Sequence, residues 1–307
     1  MSHPDMLERI VDWARARPEV RALVLTGSKA QPGASIDSLS DIDIEVVVAD
    51  VQEFMAGGQW WNELGEVWTT QVVPALAAAA TQTYPMVGVI YAGATTVDFT
   101  VIDAQRLSDM AEGGELDRVY APGYRVLLDP DGLTDALPKP SGGGVEPAVL
   151  TPDGFRAVAD AFWFEALRVP KYLIRGELWE AKSREWTMKQ HLLVMVEWHA
   201  VVTAGYPFDG YHKGRHLSRW VDARTWQQAH EVFGRFEAAD AWRALEASVR
   251  LFDRLACEAA REWGLQYPTA ADEAIAAHLR TLADEHSAQT SPRIMPNSLV
   301  KSFPTAR

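Results

Sequence analysis

A single cysteine, Cys257, stands in the 307 residues, so the chain can form no internal disulfide and no thiolate metal cluster. Long hydrophobic runs are missing too. Val46–Val48, Val72–Val73 and Ala75–Ala80 are the most prominent, far short of the roughly 18 residues that cross a bilayer. The N-terminus opens on polar and acidic residues and lacks the basic-then-apolar pattern of a secretory leader. Positive charge is scarce: 29 Lys and Arg stand against 42 Asp and Glu, a formal net charge of −13. A nucleic-acid groove needs clustered Lys and Arg to displace counterions, so these absences point to a cytoplasmic protein with neither a nucleic-acid nor a membrane partner. A monomer or weak dimer is expected. The acidic balance concentrates cations, from Mg²⁺ to polyamine-like substrates, or acts only on solubility.

What is present suits a folded chain of about two domains. Hydrophobic residues make up 48% and charged residues 23%, enough to bury a core. Residues 5–17 place Leu7, Ile10, Val11 and Ala14 at helical spacing, with Asp5 as N-cap. Val20–Thr26 and Asp41–Val48 read as strands, and Met86–Tyr91 and Thr95–Ile102 as two more joined through Ala92-Gly93-Ala94. Residues 29–40 read as a loop or short helix, Ala75–Thr83 and Asp103–Glu112 as helices, and Arg125–Leu128 as a short strand. Pro138-Lys-Pro-Ser-Gly-Gly-Gly-Val-Glu-Pro147 resists both helix and sheet and reads as a linker. Beyond it, residues 153–175, 177–204 and 237–263 carry apolar residues at 3.6-like spacing. Strands mixed with helices first and helices alone afterwards imply an α+β domain joined to a helical bundle. Pro292, Pro296 and Pro304 among polar residues mark a mobile tail.

Chemistry is concentrated in the first half. In Thr26-Gly27-Ser28-Lys29 a strand runs into a tight turn, where Gly27 allows close approach of an anion and the following amides and the Ser28 hydroxyl can hold phosphate oxygens. Ser40-Asp41-Ile42-Asp43-Ile44-Glu45 follows. Strand alternation projects Asp41 and Asp43 from one face. Two carboxylates side by side repel each other, and a hard divalent cation between them is the simplest reason to tolerate that. Mg²⁺ takes one or two carboxylates plus phosphate oxygens, so the pair predicts a nucleotide as co-ligand. Glu45 follows on the same face and meets either solvent or a basic side chain. In Thr95-Thr96-Val97-Asp98-Phe99-Thr100-Val101 the apolar face leaves Asp98 opposite, needing a partner. It either pairs with an Arg at a sheet edge or holds a second metal and acts as base toward an acceptor hydroxyl.

Gly-Ser, then Asp-x-Asp about a dozen residues on, then a strand Asp resembles the DNA-polymerase-β-like nucleotidyltransferase superfamily. More closely, the chain resembles the aminoglycoside 6-adenylyltransferase (streptomycin adenylyltransferase) family. The likeness runs through Val20-Arg-Ala-Leu-Val-Leu-Thr-Gly-Ser28, Ser40-Asp-Ile-Asp-Ile44, Gly65-Glu66 and Val97-Asp98-Phe-Thr-Val-Ile102, then past the linker through Phe162-Trp163-Phe164, Lys171-Tyr-Leu-Ile-Arg-Gly-Glu177, Ala181-Lys182, Trp198-His199 and Leu265-Gln-Tyr-Pro268. It implies a nucleotidyltransferase domain over 1–137 with a mixed β-sheet flanked by helices, a linker over 138–150, a helical substrate- and nucleotide-binding domain over 151–284, and a tail over 285–307. It implies transfer of AMP from ATP, with Mg²⁺, to a hydroxyl of a cationic aminoglycoside such as streptomycin, conferring antibiotic resistance. Gly27 and Ser28 match the phosphate positions, Asp41 and Asp43 the metal positions, and Asp98 a metal or base position. Lys29 stands where the family usually has Arg, keeping the charge without the bidentate fork. Ser183-Arg184-Glu185-Trp186 departs from the family after Lys182, which leaves open another acceptor, lincosamide-like or a metabolite. A non-catalytic nucleotide sensor is the alternative of another class.

In the helical half, Lys182 and Lys189 lie seven apart on nearly one face and could reach a triphosphate, or form a solvated face. Glu165, Glu185 and Glu197 are candidate ammonium-binding carboxylates. Trp60 and Trp61, beside Gly57-Gly58, either stack on a base or sugar or pack into a core.

Overall fold

The computed structural model describes residues 3–33, 36–74, 84–142, 151–204 and 214–290. The chain divides into two units, Met1–Val145 and Glu146–Arg307. In the first, α1 (His3–Arg15) is followed by β1 (Val20–Thr26), β2 (Ile42–Val48), α2 (Val51–Ala56) and a 3-10 turn (Trp60–Leu64). Then come β3 (Val67–Val73), β4 (Met86–Tyr91), β5 (Thr95–Asp103), α3 (Ala104–Gly113) and β6 (Arg125–Leu128). The six strands form one sheet in the order β3-β4-β5-β2-β1-β6, with β2 and β5 parallel and every other pair antiparallel.

Alternation along the strands gives the sheet two different faces. One is apolar throughout: Leu23, Leu25, Ile42, Ile44, Val97 and Phe99 are buried with Ile10 and Trp13 of α1 and Trp60 and Trp61 of the 3-10 turn. The other is divided. Ala22, Val24, Val47 and Ile102 are buried with Leu107 and Met110 of α3 and with Tyr120 and Leu137. Beyond that patch the same face carries Thr26, Asp43, Asp98 and Gly88, which share one row of the strand register.

The second unit contains α4 (Pro152–Ile174), α5 (Leu178–Ala204), α6 (Leu217–Trp220), α7 (Ala223–Glu231), α8 (Ala238–Trp263) and α9 (Ala270–Thr290), with no strand among the described residues. Thr151 caps α4 by accepting from the Gly154 amide, and Pro152 occupies the first turn, where its missing N–H costs nothing. The core is built from the facing stripes of α4, α5, α8 and α9. Phe162 and Phe252 stack there with ring centroids 3.7 Å apart. The α+β sheet domain and helical bundle expected from the sequence are both present. Among the described residues no helix is long and apolar enough to cross a membrane.

Several local expectations need correction. The helix α1 already runs from His3, so Asp5 lies inside it rather than at its N-cap. Neither β3 nor α9 was anticipated. Most of β3 is exposed on both faces, which erases the period-2 signal. Residues 285–290, expected to begin the tail, continue α9, whose Leu279 and Ala283 are buried. Pro138 and Ser141, assigned to the linker, are tied to the first unit. The Tyr124 hydroxyl donates to the Pro138 carbonyl at 3.1 Å, and the Ser141 amide donates to the Ala121 carbonyl at 3.1 Å. The helix expected over 75–83, the rest of the linker from 143 and the tail from 291 lie outside the described residues.

Candidate active site

The end of β1 turns sharply at Gly27, whose φ of +64° suits glycine. The Ala30 amide donates to the Gly27 carbonyl at 3.1 Å and the Gln31 amide to the Ser28 carbonyl at 3.3 Å, so the turn is fixed by its own backbone. Thr26 pairs with Asp43 across β1 and β2, and the Asp43 carboxylate lies directly over Gly27. A β-carbon on Gly27 would come within 2.6 Å of Asp43 Cγ and collide with its carboxylate oxygen. Both the backbone angle and the space therefore demand glycine. Gly27→Ala is expected to cost about 1–3 kcal/mol of stability through the strained φ, and to reduce activity by displacing Asp43. Urea denaturation checks the first effect, and a variant of wild-type stability would mean that the turn relaxes freely.

Asp41 precedes β2 in a turn organised by Asp37, whose carboxylate accepts from the Leu39 amide at 2.9 Å and whose amide donates to Ser40 Oγ at 3.0 Å. The Lys29 ammonium donates to the carbonyls of Ser40 and Asp41, the second at 2.8 Å. Lys29 thus ties the glycine turn to the start of the acidic strand. Partial burial lowers its pKa, against the pull of Asp41, Asp43 and Asp37. Expected as a phosphate ligand, it is engaged in this structure by backbone oxygens.

Asp98 is not at a sheet edge with an arginine. It lies on β5, inside the sheet, paired in register with Asp43 of β2 on one side and Gly88 of β4 on the other. Desolvation first and Asp41 second raise its pKa. Asp43 is pushed up to about 6 by desolvation, then by Asp98 and Asp41, with Lys29 opposing. No group of three or more acidic, His or Cys side chains among the described residues converges enough to hold an ion alone. Magnesium takes one or two carboxylates and completes its shell from water and phosphate. A crowded carboxylate lying over a glycine turn, beside two others that raise its pKa, fits such an ion.

Glu45, next after Asp43 on this face, meets a basic side chain. It is 3% exposed, accepts from Arg106 Nη1 at 3.0 Å and from the Tyr120 hydroxyl at 2.8 Å, and through Arg106 is linked to Asp117 at 2.7 Å. This network fastens α3 and the chain around Tyr120 beside the acidic row. Arg106, Tyr120 and Gly88 escaped the sequence reading. Gly88 alone carried a signal, as an isolated glycine within a strand pattern.

The remaining candidates lie elsewhere. Trp60 and Trp61, at 7% and 5% exposure, belong to the core, where Trp60 stacks on Trp13 at 4.9 Å and meets Phe99 edge-on. They are not available to a base or sugar there, because α1 and α2 cover them. In the second unit Lys182, Glu185 and Lys189 share one face of α5. Glu185 is 2% exposed, its carboxylate is 2.9 Å from the Lys182 ammonium and is bonded by the Lys189 ammonium. Lys182 also donates to the Gly234 carbonyl at 3.0 Å, and Lys189 lies over the Phe233 ring. The two lysines expected on phosphates thus share one buried glutamate, and Glu185, expected on an ammonium, is paired within its own helix. Glu165 is paired with Arg168 at 3.0 Å. Glu197 is pushed up to about 7 by burial.

The streptomycin adenylyltransferase family model matches residues 1–282. The chain is 22% identical over 275 residues to an aminoglycoside 6-adenylyltransferase of Bacillus subtilis (strain 168), spanning 87% of this chain and 93% of that protein. It is 21% identical over 274 residues to an aminoglycoside 6-adenylyltransferase of Campylobacter jejuni, spanning 87% and 91%. A crystal structure of an aminoglycoside 6-adenyltransferase from Bacillus subtilis aligns at a TM-score of 0.43 and 19% identity, covering 90% of this chain and 97% of that one.

Proposed function

Because the chain belongs to the streptomycin adenylyltransferase family, we propose that it transfers AMP from ATP to a hydroxyl of an aminoglycoside, streptomycin-like in kind, and releases pyrophosphate. The observation that carries this reading is the row in which Asp43, lying over the Gly27 turn, stands beside Asp98. The turn at Gly27 and Ser28 holds the phosphates of the leaving pyrophosphate through backbone amides and the Ser28 hydroxyl. Asp41, Asp43 and Asp98 would supply the carboxylates for Mg²⁺, one or two to an ion, and the metal when bound would neutralise charge developing on the phosphates. Asp98, its basicity raised by burial and by Asp41, accepts the proton of the acceptor hydroxyl. The acceptor oxygen then bonds to the α-phosphorus, the bond from that phosphorus to the bridging oxygen breaks, and pyrophosphate departs with those electrons. A formal net charge of −13 suits a cationic acceptor. The enzyme acts in the cytoplasm, where ATP is available, without nucleic acid, as a monomer or weak dimer, and its product is an inactivated antibiotic.

The test is to incubate the protein with Mg²⁺, each nucleoside triphosphate and an acceptor panel containing streptomycin, lincosamides and amino-sugar metabolites. Pyrophosphate release and acceptor mass are followed together. Streptomycin gaining the mass of one AMP supports the reading. A different panel member gaining it would keep the chemistry and discard the named substrate. No release with any acceptor would leave a nucleotide sensor as the better account, and undiminished release from Asp43→Asn would remove Asp43 from the chemistry.

A further inference from the structure

We propose that the gap over Gly88 seats the reacting ring of the acceptor, with Asp98 as one wall and Gln71 as the other. This rests on the transferase reading above and adds to it the residues that choose the acceptor.

The strand register places Gln71 of β3, Gly88 of β4, Asp98 of β5, Asp43 of β2 and Thr26 of β1 in one row. Partners in register point to the same face of a sheet. The two faces of β4 differ sharply: Val87, Val89 and Tyr91 are buried in the core, whereas Met86, Gly88 and Ile90 are only half-buried. Gln71 itself is exposed. The chemical face is therefore accessible on the side of Asp98 away from the phosphate turn.

Adjacent strands lie about 4.8 Å apart, so Asp98 and Gln71 rise about 10 Å from each other with one strand between them. That strand contributes no side chain to the row. A β-carbon at Gly88 would lie 3.0 Å from Asp98 Oδ1, which means that the carboxylate already leans over Gly88, toward β3. Glycine is tolerated poorly inside strands unless something must approach the backbone closely. Here the carboxylate that receives the acceptor's proton faces a trough about one sugar ring wide. On the other side of the row the Asp43 carboxylate lies over Gly27. The Gln71 amide both donates and accepts, which suits a ring bearing neighbouring hydroxyl and ammonium groups. Gly88 is thus a positioning residue for Asp98, and Gln71 a residue that reads the acceptor.

The experiment compares the full-length wild type with Gly88→Ala, Gly88→Val, Gln71→Ala and Gln71→Asn. Thr70→Ala serves as control, since Thr70 pairs with Val89 on the opposite face. Each is assayed by pyrophosphate release with streptomycin, or with the panel compound that the wild type modifies, and MgATP binding is followed by calorimetry. Gln71→Ala is expected to raise the acceptor KM about tenfold, the loss of one well-placed hydrogen bond, with the ATP KM unmoved and partial recovery in Gln71→Asn. Gly88→Val is expected to lower kcat/KM for the acceptor about a hundredfold or more, with MgATP binding retained, and Gly88→Ala to fall between. Thr70→Ala should alter neither KM. Wild-type acceptor kinetics in Gly88→Ala and Gln71→Ala would overturn the proposal even if Gly88→Val fails to fold. So would a Gln71→Ala effect as large on ATP as on the acceptor. An inactive wild type would overturn the transferase reading and this one together, whereas an active wild type with silent variants overturns only this one.

Discussion

Asp43→Asn is expected to reduce turnover by about a thousandfold or more, since the residue holds the ion that neutralises developing charge, while making the metal-free protein more stable at neutral pH. The two effects have one origin. In the folded protein the Asp43 carboxyl is pushed from 3.8 up to about 6 by burial and by Asp98 and Asp41. The folded state therefore holds this proton more tightly than the unfolded chain does. Well below pH 4 both states are protonated and the residue is neutral toward folding. As pH rises from 4 to 6 the unfolded chain ionises first, and the folded state loses stability. Above pH 6 the ionised carboxylate costs up to about 3 kcal/mol, the free-energy equivalent of that displacement. Asparagine removes the ionisation and keeps the shape. In urea denaturation without metal the variant should exceed the wild type at pH 7.5, and the advantage should shrink at pH 5 and vanish well below pH 4. Mg²⁺ with ATP should raise the wild-type melting temperature and leave that of Asp43→Asn nearly unchanged. A variant less stable than wild type at pH 7.5 would show that the carboxylate is structural, and full pyrophosphate release would remove it from catalysis.

The strands that carry this site were legible because their chemistry is local. Alternation in Ile42–Val48 and Thr95–Asp103 exposes the acidic residues as exceptions on otherwise apolar segments. That these two strands are neighbours was not legible from spacing. Asp43 and Asp98 meet because β2 and β5 pair in parallel although the two residues stand 55 positions apart in sequence, a non-local choice that no periodicity encodes. The resemblance supplied it instead. On β3 the signal failed because five of seven residues are exposed, so that Gln71 shows no alternation to mark its face. Trp60 and Trp61 were ambiguous because an aromatic pair beside two glycines reads equally as a binding loop or a packed turn. Their burial depends on Trp13, far away in sequence. On α5 the spacing of Lys182 and Lys189 put them on nearly one face, but did not show that Glu185 would be buried between them.

Arg106 shows the same limit in energetic terms, and its removal is expected to be strongly destabilising. Glu45 is 3% exposed and Arg106 is 16% exposed, with 3.0 Å between them. Burial raises the Glu45 pKa even with Arg106 and Tyr120 opposing it. Burial thus penalises the charge by more than the arginine and the tyrosine offset. Arg106→Ala leaves that carboxylate buried with a tyrosine hydroxyl alone, a change that costs about 3–5 kcal/mol. It also releases Asp117, whose carboxylate accepts the amides of Val119 and Tyr120 at 2.9 and 3.1 Å and so shapes the segment packed beside the acidic row. Because the folded Glu45 pKa is raised, the penalty is present at pH 8 and declines as acid protonates the residue. Denaturation of Arg106→Ala at pH 8 and pH 5 should record a smaller loss at the lower pH. Glu45→Gln introduced into Arg106→Ala should recover much of the stability, since an uncharged amide needs no counter-ion. A loss that is independent of pH, and not relieved by Glu45→Gln, would mean that Arg106 acts through its packing on Tyr84 and Tyr120 rather than through the buried charge.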